Sequence, residues 1–325
     1  MANAPIADLS YRGYDGPLES PTQRWWVIAK TNVRRTFKNK WYWVATITSG
    51  WYYLLMMIIV YFVELAAESN PRQQGPFALA TFMKRVIWVD QFVHGLSWAQ
   101  IMIFVVTLIA GAGVIANDNR ANALLVYLSR PCSKFDYVIG KFIGVFLPIL
   151  LTVALPSLVY FLYGALSYRA YGFLSNDPWM IVKILLVCPL IAAFYSALII
   201  GVSSLFNQGR MAGAAFAGLY FLTNFFTQMM VIAWQASTRV SRGVFRAEEG
   251  NPLAAKLYYA SVDGTMIGTT KAIMNTDGSP YFGLPSPVAM IPAPPLVPML
   301  LISGIVTFLS LWLAWSRIRA VEVVK

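Results

Sequence analysis

Six long stretches without a charged residue alternate with polar segments along the chain. They are 41–63, 96–116, 142–168, 184–206, 211–235 and 294–316. Each stretch reaches or exceeds the roughly 20 residues that a helix needs to cross about 30 Å of hydrocarbon. The strands of a membrane barrel would instead give alternating segments of about 10 residues. The pattern predicts an all-α integral membrane protein with a six-helix transmembrane domain over residues 41–316.

The polar segments around these stretches differ from one another in composition. Residues 1–21 are rich in Pro and Gly and predict a disordered cytoplasmic tail, and residues 317–325 predict a second, short one. Residues 236–293 form a last external loop, far longer than the usual connection of about 4–6 residues. Long loops without secondary structure of their own are uncommon. We therefore expect a partly ordered external cap with a short re-entrant or interfacial helix near 254–259.

The segment 22–40 has the pattern of an amphipathic helix. Apolar residues recur at helical spacing from Trp26 to Phe37, while Arg34 and Arg35 fall on another face. An ordinary basic flank to the first span would explain the charges, but it would not explain the pair of tryptophans at the start of the segment. We expect an interfacial helix that lies on the inner leaflet.

Basic residues are distributed unequally between the two sides of the predicted bundle. Fifteen of the 25 Lys and Arg residues lie on the side that holds both termini. Loops rich in Lys and Arg face the cytoplasm, so both termini are predicted to be cytoplasmic. We expect a multi-pass protein of the cell membrane, which in a bacterium is the inner membrane. The net charge of +11 flanks the spans, which favours the lipid bilayer over nucleic acid as a partner.

The six apolar stretches contain no Asp, Glu, Lys, Arg or His. Intramembrane catalysis needs ionisable groups, so the sequence argues against an embedded enzyme and predicts no catalytic residue. Cys132 and Cys188 indicate neither a disulfide nor a metal site, and the lone His94 is more typical of an interfacial residue. The nearest approach to a G-x-x-x-x-G-K-[ST] motif, at 264–271, lacks the required spacing. We expect no cofactor and no ATPase activity in this chain.

The fifth apolar stretch carries two patterns that predict burial. Small residues at four-residue spacing, which let helix backbones approach closely, begin just ahead of it: Gly209, Gly213 and Ala217. Further along lies a polar face: Asn224, Thr227, Gln228 and Gln235. Polar side chains are costly in hydrocarbon, so this face should meet protein or water. Two interpretations stay open, because the amides could hold helices or protein copies together, or could line a transport path.

The segment between the second and third spans is more elaborate than a simple turn. It predicts a short helix, which Asn117, Asp118 or Asn119 caps through a side-chain oxygen. Pro131 ends this helix. An apolar stripe runs along it: Ala121, Leu124, Leu125 and Leu128. Residues 133–136 then follow the capping-box pattern and predict the start of the helix that enters the third span.

The leucine stripe has three interpretations. It can lie on lipid, pack on its own bundle, or dock into a groove on another protein, and periodicity alone does not decide among them. Only Arg120 and Arg130 flank the stripe. A helix that lies on a membrane surface usually carries more lysine, so the pattern disfavours the lipid interpretation.

The run 115–145 resembles the cytoplasmic segment of ABC-2 type permeases, the membrane subunits of ATP-binding-cassette exporters. The positions that carry the resemblance are Asp118, Arg120, Tyr127, Leu128, Ser129, Arg130, Pro131, Asp136, Tyr137, Gly140 and Lys141. The chain departs from the family pattern at Asn119 and Asn122, where a charged residue is frequent. The general plan of a surface helix, six spans and a long last external loop also agrees with the family.

The resemblance implies a function and partners. The segment would be a coupling helix seated in a cleft of a separate cytoplasmic ABC ATPase subunit, which binds ATP and Mg. Its contact residues would be Asp118, Arg120, Leu124, Leu125, Tyr127, Leu128, Arg130, Pro131 and Asp136. A second permease copy, as a homodimer or a related heterodimer, would complete an exporter of unknown substrate. The alternative is a non-transporting anchor, or mechanotransmitter, that operates an external envelope protein.

Overall fold

The computed structural model describes residues 23–69, 86–121, 133–169, 173–174, 177–242, 259–278 and 291–318. Within these residues every regular element is a helix. In chain order they are α1 (Arg24–Phe37), α2 (Lys40–Ser49), α3 (Trp51–Ser69), α4 (Trp88–Gly111), α5 (Ala116–Arg120), α6 (Lys134–Ser167), α7 (Met180–Ser203), α8 (Gly209–Arg242), α9 (Val262–Met274) and α10 (Leu296–Arg317).

Five stretches of helix are long and apolar enough to cross a membrane. One is α4 with α5, which continue each other from Trp88 to Arg120, and the others are α6, α7, the first part of α8, and α10. A sixth crossing results when α2 and α3, bent by 43° at their junction, count as one span. Each predicted apolar stretch thus falls on helix. The all-α, multi-pass fold class is confirmed, with five candidate spans or six.

Contacts of α4 and α7 define two sides of the bundle. On one side, Ser203 at the end of α7 accepts hydrogen bonds from the amides of Ile115 and Ala116, at 3.2 and 3.1 Å. We call this the coupling side, because α5, which precedes the predicted coupling helix, lies there. On the other side, Asp90 in the first turn of α4 accepts a hydrogen bond from Thr276, which follows α9. We call this the loop side.

The spanning helices extend beyond the apolar stretches and so carry ionisable residues. Asp90 and His94 belong to α4, Lys141 to α6 and Lys183 to α7. The expectation of uncharged spans holds for the stretches but not for the helices. Asp90 and Lys141 are only 1% and 8% exposed, so partners in the protein must replace the water they lose.

A carbonyl group freed by a proline in α6 is satisfied by α1. Pro148 has no N–H, so the carbonyl of Gly144, one turn earlier, loses its partner within the helix. That oxygen accepts a hydrogen bond from Nδ2 of Asn32 at 2.9 Å. Asn32 also donates to the carbonyl of Ala110 in α4, at 3.4 Å. The buried amide therefore joins α1, α4 and α6.

The second proline of α6 is compensated in the same way by α2. Pro156 frees the carbonyl of Thr152, whose oxygen lies 3.1 Å from Oγ of Ser49, a hydroxyl that Thr152 shares with the carbonyl of Thr46 at 2.7 Å. The bend between α2 and α3 packs on the same proline, since a Cβ at Gly50 would lie 3.1 Å from Cβ of Pro156. Neighbouring side chains thus make both prolines tolerable within a span.

α6 begins at the predicted capping box. Oγ of Ser133 accepts a hydrogen bond from the amide of Asp136 at 3.1 Å, and the carboxylate of Asp136 accepts one from the amide of Ser133 at 3.1 Å. The two bonds satisfy backbone donors that the helix itself leaves free. This start of the helix is confirmed.

Helix α9, in the long last loop, reaches from the loop side into the bundle. Lys183 near the start of α7 donates to the carbonyl of Met274, the last residue of α9, at 3.4 Å. Near the other end of α9, Asp263 contacts the hydroxyl of Tyr195, which lies about 18 Å further along α7 than Lys183. α9 spans Val262–Met274, and the helix expected near 254–259 lies outside the described residues except for residue 259, which is in a turn.

Candidate functional site

The coupling side holds an ion pair between α5 and α6. Nζ of Lys141 lies 2.6 Å from Oδ2 of Asp118, and the same oxygen accepts a hydrogen bond from the hydroxyl of Tyr137 at 2.8 Å. The ammonium group of Lys141 also lies over the Tyr137 ring, 5.4 Å from its centroid. Because the side chains of Lys141 and Asp118 are only 10% and 20% exposed, water screens their attraction weakly. The pair fixes α5 against α6.

Two asparagines beside Asp118 fix α5 to α8 and to the turn before α8. Oδ1 of Asn117 accepts a hydrogen bond from the amide of Gly209, the first residue of α8, at 3.1 Å. Nδ2 of Asn119 donates to the carbonyl of Phe206 at 3.2 Å. Asn119 departs from the family pattern, and this contact gives its amide a structural role. We call the contacts of residues 117–119 with α6, the pre-α8 turn and α8 the coupling junction.

The short helix predicted up to Pro131 lies outside the described residues beyond Ala121, and Asn117, Asp118 and Asn119 lie within α5 instead of capping it. No side chain caps α5. The amides of Ile115 and Ala116 already donate to Ser203, and those of Asn117 and Asn119 donate to backbone carbonyls of the preceding turn. The three side chains therefore serve other elements.

Helix α1 is packed along α6 at two glycines. A Cβ at Gly140 would lie 2.6 Å from the carbonyl oxygen of Trp25, and one at Gly144 would lie 2.9 Å from Cβ of Asn32. Only glycine allows this approach of the two backbones. The face of α1 that is buried holds Ala29, Asn32 and Thr36.

This buried face matches the predicted apolar stripe only in part, because Ala29 belongs to both. Trp26, at the start of the stripe, is 40% exposed, whereas the polar Asn32 and Thr36 are buried. The sequence argument missed the contact because it considered α1 alone. The signals were present in the partner helix, as two glycines four residues apart and a proline whose freed carbonyl requires a donor.

The predicted ATPase contacts are only partly described. Asp118 belongs to the coupling junction, Asp136 caps α6, and Arg120 is exposed at the end of α5. The remaining predicted contacts lie outside the described residues: Leu124, Leu125, Tyr127, Leu128, Arg130 and Pro131. Their assignment to an ATPase interface stays a prediction.

The small residues at the start of α8 lie against the end of α4. A Cβ at Gly209 would lie 2.9 Å from Cα of Gly113, and one at Gly213 would lie 3.5 Å from Cβ of Ala112. Ala217 is partly buried against the same core. The start of α8 is therefore held close to the coupling junction.

The residues of the predicted polar face of α8 have different surroundings in the structure. Asn224 and Gln228 line a cavity beside α9. Thr227 is buried, and its hydroxyl donates within its own helix, to Thr223 and Asn224 carbonyls at 3.0 Å. The side chain of Gln235 lies outside the described part of the chain. Asn224 and Gln228 thus meet protein and a cavity, while Thr227 has its partners locally.

Asp263, at the inner end of α9, is surrounded by hydrogen-bonding groups. Its Oδ1 lies 2.7 Å from the hydroxyl of Tyr195, and its Oδ2 lies 2.7 Å from the hydroxyl of Tyr220. The backbone amide of Asp263 donates to Oδ1 of Asn224 at 3.3 Å.

The proton count of this cluster allows two arrangements. The hydroxyl of Tyr195 also lies 2.5 Å from Oε1 of Gln100, but one hydroxyl proton serves only one acceptor. If Asp263 carries a proton, it donates to Tyr195, which donates to Gln100. If Asp263 is ionised, Tyr195 donates to it, and a Gln100 amide turned over donates Nε2 to Tyr195. Nε2 of Gln100 has no other partner among the described residues.

A cavity of about 290 Å³ opens beside Asp263, between α4, α8 and α9. Its wall combines polar and apolar groups: His94, Ser97, Trp98, Asn224, Gln228, Ser261, Asp263, Gly264 and Ile267. Nδ2 of Asn224 is buried and has no hydrogen-bond partner in the described structure. A cavity with a few convergent polar groups is the usual form of a small-molecule site. The sequence pattern indicated Asn224 and Gln228, but not Asp263.

The end of α9 on the loop side of the bundle is held by contacts that do not involve this cavity. Nζ of Lys271 donates to the carbonyl of Ile291 at 2.9 Å, and Thr276 donates to Asp90. Burial lowers the pKa of Lys271, an effect that the nearby carboxylates of Asp277 and Asp90 oppose. Both ends of α9 are therefore anchored to the rest of the described structure.

The five or six candidate apolar spans define a multi-pass membrane protein. The family model described as "ABC-2 family transporter protein" matches residues 26–311. The chain belongs to this family. It is therefore a membrane permease subunit of an ABC transporter, whose partner is an ABC ATPase subunit. Comparison with curated proteins found no match.

Proposed function

We propose that this permease couples ATP hydrolysis by a separate cytoplasmic ATPase to export of a substrate. Two permease copies pair, both termini face the cytoplasm of a bacterium, and the ATPase holds ATP and Mg. The observation that carries the proposal is the coupling junction. The segment that would contact the ATPase begins where α5 ends and precedes Ser133 at the start of α6, and the Asp118–Lys141 pair joins these two helices.

The junction offers a mechanical route from the segment to the spans. A displacement of α5 would act on α8 through Asn117, on α7 through Ser203 and on α6 through Asp118. α6 would act in turn on α1 through the close contacts at Gly140. Closure of two ATPase subunits on ATP would thus move several spans at once, which is what alternating access requires.

Docking of the ATPase is tested by placing charge on the leucine stripe. We expect the double variant Leu124→Asp/Leu128→Asp to lose the ATPase during co-purification, because two buried carboxylates would oppose an apolar groove. The matched control, Asn122→Asp/Val126→Asp, puts the same charges on the opposite face of the predicted helix. Equal recovery of the ATPase with both variants would contradict docking through the stripe.

One observation favours the mechanotransmitter as a second candidate function. Helix α9 belongs to the long loop, yet its inner end contacts Tyr195 of α7 and Tyr220 of α8. Movement of these two helices would therefore reach the loop without any substrate passing through the bundle. Such a device would move an envelope protein outside the membrane.

The two candidates are distinguished by measuring flux and movement in the same preparation. The permease–ATPase complex is reconstituted in proteoliposomes loaded with cell extract and caged ATP, so that complexes whose ATPase faces the lumen export outward, and vesicle contents before and after release of ATP are compared by mass spectrometry. Spin labels at Trp179→Cys and Asn275→Cys report the distance between α7 and the end of α9. We expect ATP-dependent loss of a component, absent with a hydrolysis-deficient ATPase. A distance change without any such loss would favour the mechanotransmitter and contradict export.

A further inference from the structure

Asp263 is an acidic group held deep within a membrane protein. It lies at the level of Tyr195, about 22 Å from the start of α7, which places it well inside the thickness of the bilayer. An ionised carboxylate at such depth normally has a cationic partner. Among the described residues, the hydroxyls of Tyr195 and Tyr220 bind the carboxyl, the amide of Asn224 lies beside it, and no Lys, Arg or His forms an ion pair with it. The carboxyl therefore lacks a positive charge from the described protein.

The carboxyl retains capacity to accept hydrogen bonds from a ligand. A carboxylate offers about four lone-pair sites, and the hydroxyls of Tyr195 and Tyr220 use one on each oxygen. The cavity beside it adds further acceptors, the hydroxyl of Ser97 and the amide oxygen of Gln228. A ligand rich in donors is thus favoured on this wall.

Two other features of the cavity restrict the ligand. Its volume of about 290 Å³ is far larger than a single metal ion needs, and Trp98 and Ile267 supply apolar walls for an organic body. The indole face of Trp98 also attracts cations. The cavity wall also holds one donor: Nδ2 of Asn224 is buried and has no partner in the described structure. The ligand should therefore also carry one acceptor.

We propose that this cavity binds an organic ammonium cation that carries a neighbouring hydroxyl or carbonyl group. The ammonium group donates to Asp263, the neighbouring oxygen accepts from Asn224, and the organic body lies against Trp98. With Asp263 ionised by the bound cation, Tyr195 donates to its Oδ1 and Gln100 donates to Tyr195, so the buried nitrogen of Gln100 gains its partner. The site does not depend on the coupling proposed above, and its binding is measured without ATP.

The probe is 2-amino-1-phenylethanol, and its matched control is 1-phenyl-1,2-ethanediol, which replaces the ammonium group by a hydroxyl. Binding of each to the purified permease–ATPase complex in nanodiscs is measured by isothermal titration calorimetry. We expect the amine to bind at least about tenfold more tightly than the diol, the preference expected of a charge-assisted hydrogen bond. Equal affinities, or no binding of the amine at millimolar concentration, would overturn the proposal.

Charge variants locate the site. Asp263→Asn keeps the shape and should remove the preference for the amine, while Asp177→Asn, a carboxyl paired with Lys183 on the loop side, should retain it. Since Asp263→Asn could fail to assemble, the exposed Gln228 provides a second test. Gln228→Glu should tighten amine binding several-fold and Gln228→Lys should abolish it, both without effect on the diol. Amine binding that is unchanged in both Gln228 variants contradicts the site.

Discussion

A leucine in place of Gly140 or Gly144 will displace α1 from α6. The Cβ atom alone would lie 2.6 Å from the carbonyl oxygen of Trp25, or 2.9 Å from Cβ of Asn32, and the rest of the leucine side chain has no room. The displacement also removes the donor that Asn32 supplies to the Gly144 carbonyl. A buried carbonyl without a partner costs on the order of 1–3 kcal/mol, added to the lost packing.

The displacement is measured by limited proteolysis at the basic residues of α1. We expect Lys30, Arg34 and Arg35 to become rapidly cleaved by trypsin in the Gly140→Leu and Gly144→Leu proteins. The controls are Gly218→Leu and Gly304→Leu, because a Cβ at either glycine meets no atom within 4 Å. Cleavage that is as slow in the Gly140→Leu protein as in these controls would show that α1 is not held at this contact.

Replacing Lys141 by methionine will uncouple the ATPase from the permease. Asp118 would lose its cation and keep only the hydrogen bond from Tyr137, in a site where it is 20% exposed. Removing one partner of a buried ion pair costs up to about 3–5 kcal/mol, and partial exposure reduces this value. That free energy is enough to shift α5 relative to α6. We expect permease-stimulated ATP hydrolysis to fall to the rate of the isolated ATPase.

The other ion pair in the described structure provides a control. Lys183 and Asp177 are also 2.6 Å apart, but they lie on the loop side. Lys183→Met should therefore leave stimulated hydrolysis close to that of the unchanged protein. The exchange Asp118→Lys/Lys141→Asp restores opposite charges and should recover part of the stimulation. If Lys141→Met and Lys183→Met have equal effects, the coupling junction has no special role.

The spans could be predicted from the sequence because the length and hydropathy that identify each span are properties of its own residues. Length and hydropathy follow from the thickness of the bilayer, so every apolar stretch falls on helix. The break at Gly50 was not predicted, because apolar residues continue on both sides of it. Its position depends on Pro156 of α6, about a hundred residues away, against which it packs.

The contacts of the candidate site residues could be predicted only where the two partners are close in the sequence. The capping box at Ser133 and Asp136 joins residues three positions apart, and the pattern identified it. Asn117 is of a residue type common at helix caps, but the hydrogen bond that its side chain accepts comes from the amide of Gly209. Asp263 gives no local signal, since its tyrosine partners lie on two other helices.

The hydrogen bond between Asn32 and the Gly144 carbonyl constrains the order in which the protein is assembled. The two residues are 112 positions apart, so the ribosome needs roughly 5–20 s to make the second after the first. Throughout that interval α1 has no α6 to pack against. We expect it to wait at the membrane surface, where its tryptophans and arginines would suit the lipid interface. The same helix would then meet two successive environments during biosynthesis, first the bilayer surface and then the side of α6.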